Sequence, residues 1–119
     1  MIIYNLQDSI FPIWKPQMIT STDVVRKIKN KFDLRKVGHC GTLDPFAEGV
    51  LIVVSGSKTR SSAEYMKSVK TYRTTIIFGE ETDTLDILGN IIRKDSTNKK
   101  NFSIKNIQKV LANFIGKIE

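Results

Sequence analysis

A run of five apolar residues constrains the fold of this chain more than any other segment. Val50-Leu51-Ile52-Val53-Val54 is short, rich in β-branched side chains and apolar at every position. A strand with one wet face would alternate between apolar and polar residues, so this run predicts a strand that is buried on both faces. Ser55-Gly56 marks its end, and other elements must cover it.

The segment before this strand predicts a structured loop. Residues 35–49 hold three glycines and Pro45, with polar residues between them, and neither a helical nor a strand period fits. Glycine permits backbone conformations and close ligand approach that other residues obstruct. Proline restricts the residue before it to extended conformations, so Asp44 is expected to point in a preset direction.

Three segments have the apolar spacing of amphipathic helices. The first begins after the hydroxyl-rich run Thr20-Ser21-Thr22, which supplies N-cap candidates, and much of its remaining surface is basic. The second covers residues 59–69. The third begins after Ser103, another N-cap candidate, and ends at Gly116.

Further strands are expected on both sides of this centre. Ile10-Phe11-Pro12-Ile13-Trp14 is compatible with an edge strand, residues 71–78 form a second strand, and residues 90–94 form a third. Residues 82–89 are acidic and turn-like. Because strands and helices do not alternate regularly, we expect an α+β fold with a mixed, largely antiparallel sheet and flanking helices.

The size and composition of the chain fit one folded domain. At 119 residues, 40% of them apolar, the chain can build a core, so it is not expected to be disordered. Its 19 Lys and Arg against 12 Asp and Glu leave a net charge of +7. Such an excess favours a nucleic-acid partner through attraction to phosphates and release of their counterions, although it also serves solubility alone.

The chain has one cysteine and one histidine. An internal disulfide and a Cys/His zinc site are therefore both excluded, which suits a reducing compartment. The N-terminus has no secretory signal, and no stretch has the length needed to cross a bilayer. We expect a soluble cytoplasmic protein with no membrane partner.

Asp44 is the strongest candidate for a chemical role. It lies on a glycine-rich loop that leads into the buried strand, and rigid scaffolds commonly present catalytic groups in this way. The same residue can instead form an Asx-turn with nearby backbone amides, and local chemistry leaves both interpretations open.

Other catalytic motifs are absent from the sequence. Gly56-Ser57-Lys58-Thr59 lacks the glycines of a phosphate-binding P-loop, and the chain has no Gly-x-Ser-x-Gly elbow. The acidic run at residues 80–86 lacks the ligand spacing of a calcium loop, so we expect no metal site.

Five ordered motifs resemble those of the TruB-type tRNA pseudouridine synthases. Residues 38–51 contain the family's Gly-x-Leu-Asp-Pro-x-Ala-x-Gly signature. The other four matches are Lys15-Pro16 with Thr20-Ser21, Lys70-Thr71-Tyr72, Thr82-Asp83-Thr84-Leu85-Asp86 with Gly89, and Phe114-Ile115-Gly116. Together they span nearly the whole chain. They imply a pseudouridine synthase-like fold, of which residues 1–119 would be the N-terminal portion of the catalytic domain.

The resemblance also implies an activity and roles for individual residues. The enzyme would isomerise a uridine of the position-55 type, in the T-loop of tRNA, to pseudouridine. Asp44 would be the nucleophile, Tyr72 would pack on the flipped uracil, and His39 would contact the RNA. The T-arm of tRNA would be the partner of a monomer that needs no cofactor and no metal. The candidates for phosphate contacts are Lys15, Arg26, Lys58 and Arg60.

The sequence departs from the family pattern in two places. Met18 stands where the family has a glycine, which puts the shape of that turn in doubt. The sequence ends at Glu119, before the family's Gln-x-Pro-Pro element, an arginine that pairs with the catalytic carboxylate and, in many members, an RNA-binding domain. We therefore expect an incomplete catalytic domain with little or no activity alone. The alternatives are a non-catalytic RNA-binding protein that retains the fold and the guide-RNA-directed branch of the family.

Overall fold

The apolar run at residues 50–54 lies in the middle strand of a sheet. The computed structural model describes residues 6–95 and 102–118. In chain order, the elements are β1 (Ile10–Lys15), α1 (Ser21–Lys31), β2 (Val37–His39), β3 (Gly49–Ser55), a 3-10 helix (Gly56–Ser61), α2 (Ser62–Met66), β4 (Glu80–Thr82), β5 (Ile91–Lys94), α3 (Ile104–Leu111) and a second 3-10 helix (Ala112–Phe114). Helices and antiparallel strands are both present, so the predicted α+β class is confirmed.

The first sheet places β3 between β1 and β2, and β3 is antiparallel to both neighbours. Val53 and Val54 point to opposite faces and are both 0% exposed, so the second half of this strand is buried on both sides, as predicted. Val50 at the start of the run is 60% exposed. The prediction of burial on both faces is therefore wrong for the beginning of the run.

Side chains from α1, from the loop after it and from β3 form the hydrophobic core. Val24 and Ile28, one turn apart on α1, cluster with Leu34, Leu51 and Val53. Burial of this apolar stripe is the main term that holds the helix on the sheet. The basic face of α1 remains exposed, as its sequence period predicts.

The start of α1 is fixed by a capping box. The Thr20 hydroxyl accepts a hydrogen bond from the backbone N–H of Asp23 at 3.0 Å, and the Asp23 carboxylate accepts one from the backbone N–H of Thr20 at 3.3 Å. Two N–H groups that the helix leaves unpaired are thereby satisfied. Thr20 is thus the N-cap among the three predicted candidates.

Three predicted elements differ from the structure. Residues 71–78 are not a strand; their side chains are exposed, and a β-rich composition forms a strand only where a partner completes the ladder. The helix predicted at residues 59–69 is a 3-10 helix (Gly56–Ser61) followed by α2, and it ends before Val69. The loop predicted at residues 35–49 contains the short strand β2, which pairs with β3.

The chain divides into two compact units, Met1–Arg73 and Thr74–Glu119. In the second unit, β4 and β5 form an antiparallel pair, which confirms the strand predicted at residues 90–94. The Ser103 hydroxyl accepts a hydrogen bond from the backbone N–H of Asn106, so the predicted N-cap of α3 is also confirmed. The polar, lysine-rich segment at residues 95–101 lies almost wholly outside the described residues.

Across the described ranges, no helix is both long and apolar enough to cross a membrane.

Candidate active site

Asp44 lies in the loop that joins β2 to β3, residues 40–48. The backbone N–H of Cys40 donates to the carbonyl of Ile52 at 2.8 Å, which extends the β2–β3 pairing into the loop. Gly41 has φ of +123° and Gly49 has φ of +149°, values that residues with a Cβ rarely adopt. The two glycines therefore let the chain leave the sheet and return to it over a short distance.

The residue before Asp44 is attached to the start of α1. The Ser21 hydroxyl donates to the Leu43 carbonyl at 3.1 Å and accepts from the Leu43 N–H at 3.0 Å. Ser21 is only 2% exposed. One buried hydroxyl therefore satisfies both backbone polar groups of Leu43.

The residue after Asp44 is attached to the turn between β1 and α1. The Pro45 carbonyl accepts from the Met18 N–H at 2.6 Å and from the Lys15 ammonium at 3.3 Å. Met18 has φ of +64°, the left-handed conformation that a glycine adopts without strain. The turn thus keeps a glycine-like geometry at the position where this sequence has a methionine.

Lys15 differs from the role expected of it. Its side chain is fully buried, and its ammonium donates to the carbonyls of Pro16 at 3.0 Å and Ile19 at 2.8 Å as well as to Pro45. All three ammonium hydrogens therefore have carbonyl partners inside the protein. This placement is wrong for a phosphate contact, because the charge has no access to RNA.

The Asp44 side chain is exposed. In the part of the chain that the structure describes, its carboxylate accepts no hydrogen bond and pairs with no cation. Only its backbone carbonyl is bonded, by the Ala47 N–H at 3.1 Å. An Asx-turn needs a side-chain bond to a nearby amide, so the Asp44 carboxylate is not used in that way here.

His39 ends β2 and is half-buried. Its Nδ1 lies 2.8 Å from the Gly41 carbonyl. Because a carbonyl only accepts hydrogen bonds, Nδ1 carries the hydrogen in this contact. The ring is thereby oriented by the loop backbone, and no described residue forms a hydrogen bond with Nε2.

A cavity of about 320 Å³ lies beside the loop, within the first unit. Tyr72 lines it and is 70% exposed. Leu43, the neighbour of Asp44, lines it too, whereas Asp44 and His39 do not. The structure therefore brings Tyr72 to the same cavity as residues 40–43 of the loop. The Asp44 carboxylate and the His39 imidazole do not line this cavity.

Cys40 also lines this cavity, and burial raises the pKa of its thiol, against the opposing charge of Lys70. A thiol with a raised pKa stays protonated at neutral pH and is a weak nucleophile. Cys40 is therefore part of the cavity wall and a poor candidate for a nucleophile.

The remaining basic candidates are all exposed. Arg26 lies on α1 and forms a surface ion pair with Asp23 at 3.0 Å. Lys58 and Arg60 lie on the 3-10 helix after β3. All three guanidinium and ammonium groups are accessible from solvent, in contrast to Lys15.

In the second unit, the acidic turn is held by its own hydrogen bonds. Asp83 accepts from the backbone and side-chain N–H groups of Asn90, at 2.9 and 3.2 Å. Two hydrogen bonds hold the pKa of Asp86 below its ordinary value. The larger effect comes from the Thr84 hydroxyl, and the Leu88 N–H adds to it. Residues 6–95 and 102–118 contain no group of three or more His, Cys, Asp or Glu side chains that could hold a metal ion.

Two contributors to the Asp44 loop had no assigned place there from the sequence. The sequence alone indicates an N-cap candidate at Ser21 and a phosphate contact at Lys15. A signal was nevertheless present, because Lys15-Pro16 and Thr20-Ser21 belong to one of the five matched motifs. What the motif could not convey is that both side chains turn inward towards the residues flanking Asp44.

Comparison with known proteins defines the class of this chain. The model of the TruB family pseudouridylate synthases (N terminal domain) matches residues 29–119, which include the Asp44 loop and Tyr72. The chain belongs to that family.

Three relatives are close in sequence, and each is called tRNA pseudouridine synthase B. The protein of Endomicrobium trichonymphae is 40% identical over 115 residues, covering 97% of this chain and 49% of the relative. That of Bordetella avium is 38% identical over 112 residues, with 94% and 46% covered. That of Aquifex aeolicus is 42% identical over 111 residues, with 93% and 38% covered. The chain thus spans less than half the length of these relatives.

Proposed function

We propose that this chain forms the N-terminal part of the catalytic domain of a tRNA pseudouridine synthase that acts on a uridine in the T-loop. Membership of the family and the printed names of the relatives support the reaction class. The position in the T-loop rests on the resemblance of the sequence motifs. Asp44 is the nucleophile in this proposal.

One observation carries the assignment of Asp44. Its carboxylate is exposed and unpaired among the described residues, while the backbone on both sides is tied to buried groups. A carboxylate that merely stabilises a loop would be expected to accept bonds from that loop, as Asp83 does in the acidic turn. Asp44 instead has its lone pairs free and its position fixed, which is the condition for reacting with a bound substrate.

The reaction needs a carboxylate and no redox partner. The bond between N1 of uracil and C1′ of ribose breaks, the base turns, and a bond between C5 and C1′ forms. The hydrogen on C5 leaves as a proton, and N1 gains one, so atoms and electrons balance without a cofactor. An ionised carboxylate can hold the reacting centre by covalent attack while the base is detached.

In this proposal, the turned base enters the cavity beside the loop, whose wall includes Leu43, the neighbour of Asp44. Its volume of about 320 Å³ is at the lower end of the range of small-ligand sites, which suits a single base. In this proposal, Tyr72 stacks on the uracil, an interaction that offsets part of the cost of taking the base out of its stack. His39 positions the RNA through the ring nitrogen that does not bind Gly41.

The three accessible basic candidates, Arg26, Lys58 and Arg60, are proposed to contact phosphates of the T-arm. Contacts of this kind fix the register of the RNA and carry little sequence information. Lys15 is not part of this set because it is buried.

The test uses a chimera in which this chain replaces the matching part of the Aquifex aeolicus relative. A T-arm RNA tritiated at C5 of the target uridine releases tritium when pseudouridine forms. We expect release by the chimera, none by its Asp44→Asn variant, and unchanged RNA binding, because the substitution preserves the shape of the side chain. Glu48→Gln is the matched control, since Glu48 is another exposed carboxylate on the same loop and should keep activity.

Two outcomes would contradict the proposal. Tritium release by the Asp44→Asn variant would remove Asp44 from the chemistry. Salt-sensitive RNA binding by the unsubstituted chimera without any release would favour the alternative, a non-catalytic RNA-binding protein. The 119-residue chain alone, assayed in parallel, is expected to release little or no tritium.

A further inference from the structure

The residue before Asp44 is hydrogen-bonded to the start of α1, and the proposed reaction assigns no role to this contact. Leu43 directly precedes Asp44, and its N–H and C=O both bond to the single hydroxyl of Ser21, at 3.0 and 3.1 Å. Ser21 is 2% exposed and is the first residue of α1. The capping function belongs to its neighbour Thr20, so the Ser21 hydroxyl is not needed to begin the helix.

The geometry points to Ser21 as a positioning residue for the Asp44 carboxylate, an inference that rests on the proposed function. The Leu43 carbonyl belongs to the peptide plane that it shares with the N–H of Asp44. A bond to that carbonyl and another to the Leu43 N–H restrict the two peptide planes before Asp44. Pro45 already restricts the backbone of Asp44 from the other side.

Loss of the Ser21 hydroxyl would release one side of Asp44 only. Pro45 would remain bonded through its carbonyl to Met18 and Lys15. The loop would therefore stay in place while the Leu43–Asp44 peptide gained freedom to rotate. A displacement of about 1 Å at a reacting group can cost about 100-fold in rate, so a small rotation is enough to impair the chemistry.

Ser55 provides a matched comparison elsewhere in the same unit. It too is a fully buried serine, and its hydroxyl bonds to the carbonyls of Leu6 and Ser9 and accepts from the Ser9 N–H. These bonds attach the segment before β1 to the end of β3, and within the described residues none of them reaches residues 40–48. Ser21→Ala and Ser55→Ala thus remove similar buried hydrogen bonds from different places.

The experiment compares these two variants in the 119-residue chain and in the chimera. In the 119-residue chain, hydrogen exchange of the Leu43 amide should accelerate about 10-fold or more in Ser21→Ala relative to Ser55→Ala, because the substitution removes the acceptor of this amide among the described residues. In the chimera, Ser21→Ala should lower kcat by about 10- to 100-fold with KM within about twofold, and Ser55→Ala should leave kcat within about twofold. If Ser21→Ala fails to fold, Ser21→Cys retains the shape with a weaker hydrogen-bonding group and takes its place.

Equal kcat in the two variants, at equal loss of stability, would overturn the inference and leave Ser21 as a structural residue. Tritium release by the Asp44→Asn variant would instead contradict the proposed function. The two failures are therefore distinguishable, since the first is measured in an enzyme whose dependence on Asp44 has been established independently.

Discussion

Met18 stands where the matched family motif has a glycine, and its backbone adopts a conformation that favours glycine. Its φ of +64° lies in the left-handed region, which costs an L-residue about 1–2 kcal/mol relative to glycine. The conformation persists because the Met18 N–H reaches the Pro45 carbonyl at 2.6 Å. The methionine side chain is 66% exposed and gains little burial in return. The hydrogen bond between Met18 and Pro45, the residue after Asp44, is therefore formed with local backbone strain at Met18.

This strain predicts that Met18→Gly stabilises the protein. Relief of the left-handed penalty exceeds the extra backbone entropy that glycine loses on folding, so the free energy of unfolding should rise by about 0.5–1 kcal/mol. Urea unfolding of the 119-residue chain measures it. Gln17→Gly is the control, because Gln17 has no positive φ and the same replacement there should lower the free energy of unfolding. A loss of stability in both variants would show that Met18 is not strained.

The residues around Asp44 show which parts of the site the sequence can predict and which it cannot. The Asp44 loop is evident in the sequence, because glycines, a proline and the following apolar run signal it directly. The burial of Lys15 is not, since lysine is rarely buried, and its ammonium is enclosed by the carbonyls of Pro16 and Ile19 in the following turn and by that of Pro45, which is distant in sequence. The role of Ser21 is hidden for a similar reason, because a serine at a helix start ordinarily serves as a cap.

At the level of whole elements, local signals predict helices better than strands. The capping hydroxyl and apolar period of α1 act within one turn and lead to the observed helix. Residues 71–78 have a strand-forming composition, but strand formation depends on a partner that lies elsewhere in sequence, and no described residue pairs with them as a strand. The strand β2 was missed for the opposite reason, since three residues of ordinary composition pair only because β3 lies beside them.

The capping box of α1 predicts a pH dependence of stability. Two hydrogen bonds from Thr20 hold the pKa of Asp23 below its ordinary value. The larger effect comes from the Thr20 hydroxyl and the smaller from the Thr20 backbone N–H. A carboxyl group whose pKa is lower in the folded state contributes stability above its unfolded pKa and loses it as pH falls through the folded pKa. The wild-type chain should thus be more stable than Asp23→Asn at pH 7, and the two should converge below about pH 4.

Urea unfolding of both chains between pH 7 and pH 2.5 checks this expectation. The control repeats the substitution in a Thr20→Ala background, where the principal hydrogen bond to Asp23 is gone and the pH-dependent difference should shrink. A stability difference that stays constant across the pH range would mean that the charge of Asp23 does not contribute through the cap.

For the molecule as a whole, the residues of the candidate site all lie in the first of the two units, Met1–Arg73. All buried residues of the described chain lie between Lys15 and Ser55, and the cavity with Tyr72 lies in the same unit. The described residues of the second unit are half-buried or exposed. A unit that contains its own core and the anchors of its own loop has what it needs to fold independently.

Residues 1–73 are therefore expected to retain the structure of the Asp44 loop without the rest of the chain. Hydrogen exchange of the Cys40 and Leu43 amides in this shorter chain should stay within about threefold of that in the 119-residue chain, because their bonding partners and the core beneath them are all present. A chain of residues 16–119 is the control. It retains Ser21 and Leu43 but lacks β1 and the ammonium of Lys15, so the same amides should lose their protection. Loss of protection in residues 1–73 would mean that the second unit is needed to hold the loop, and that Asp44 is positioned by more than Ser21, Lys15 and the sheet.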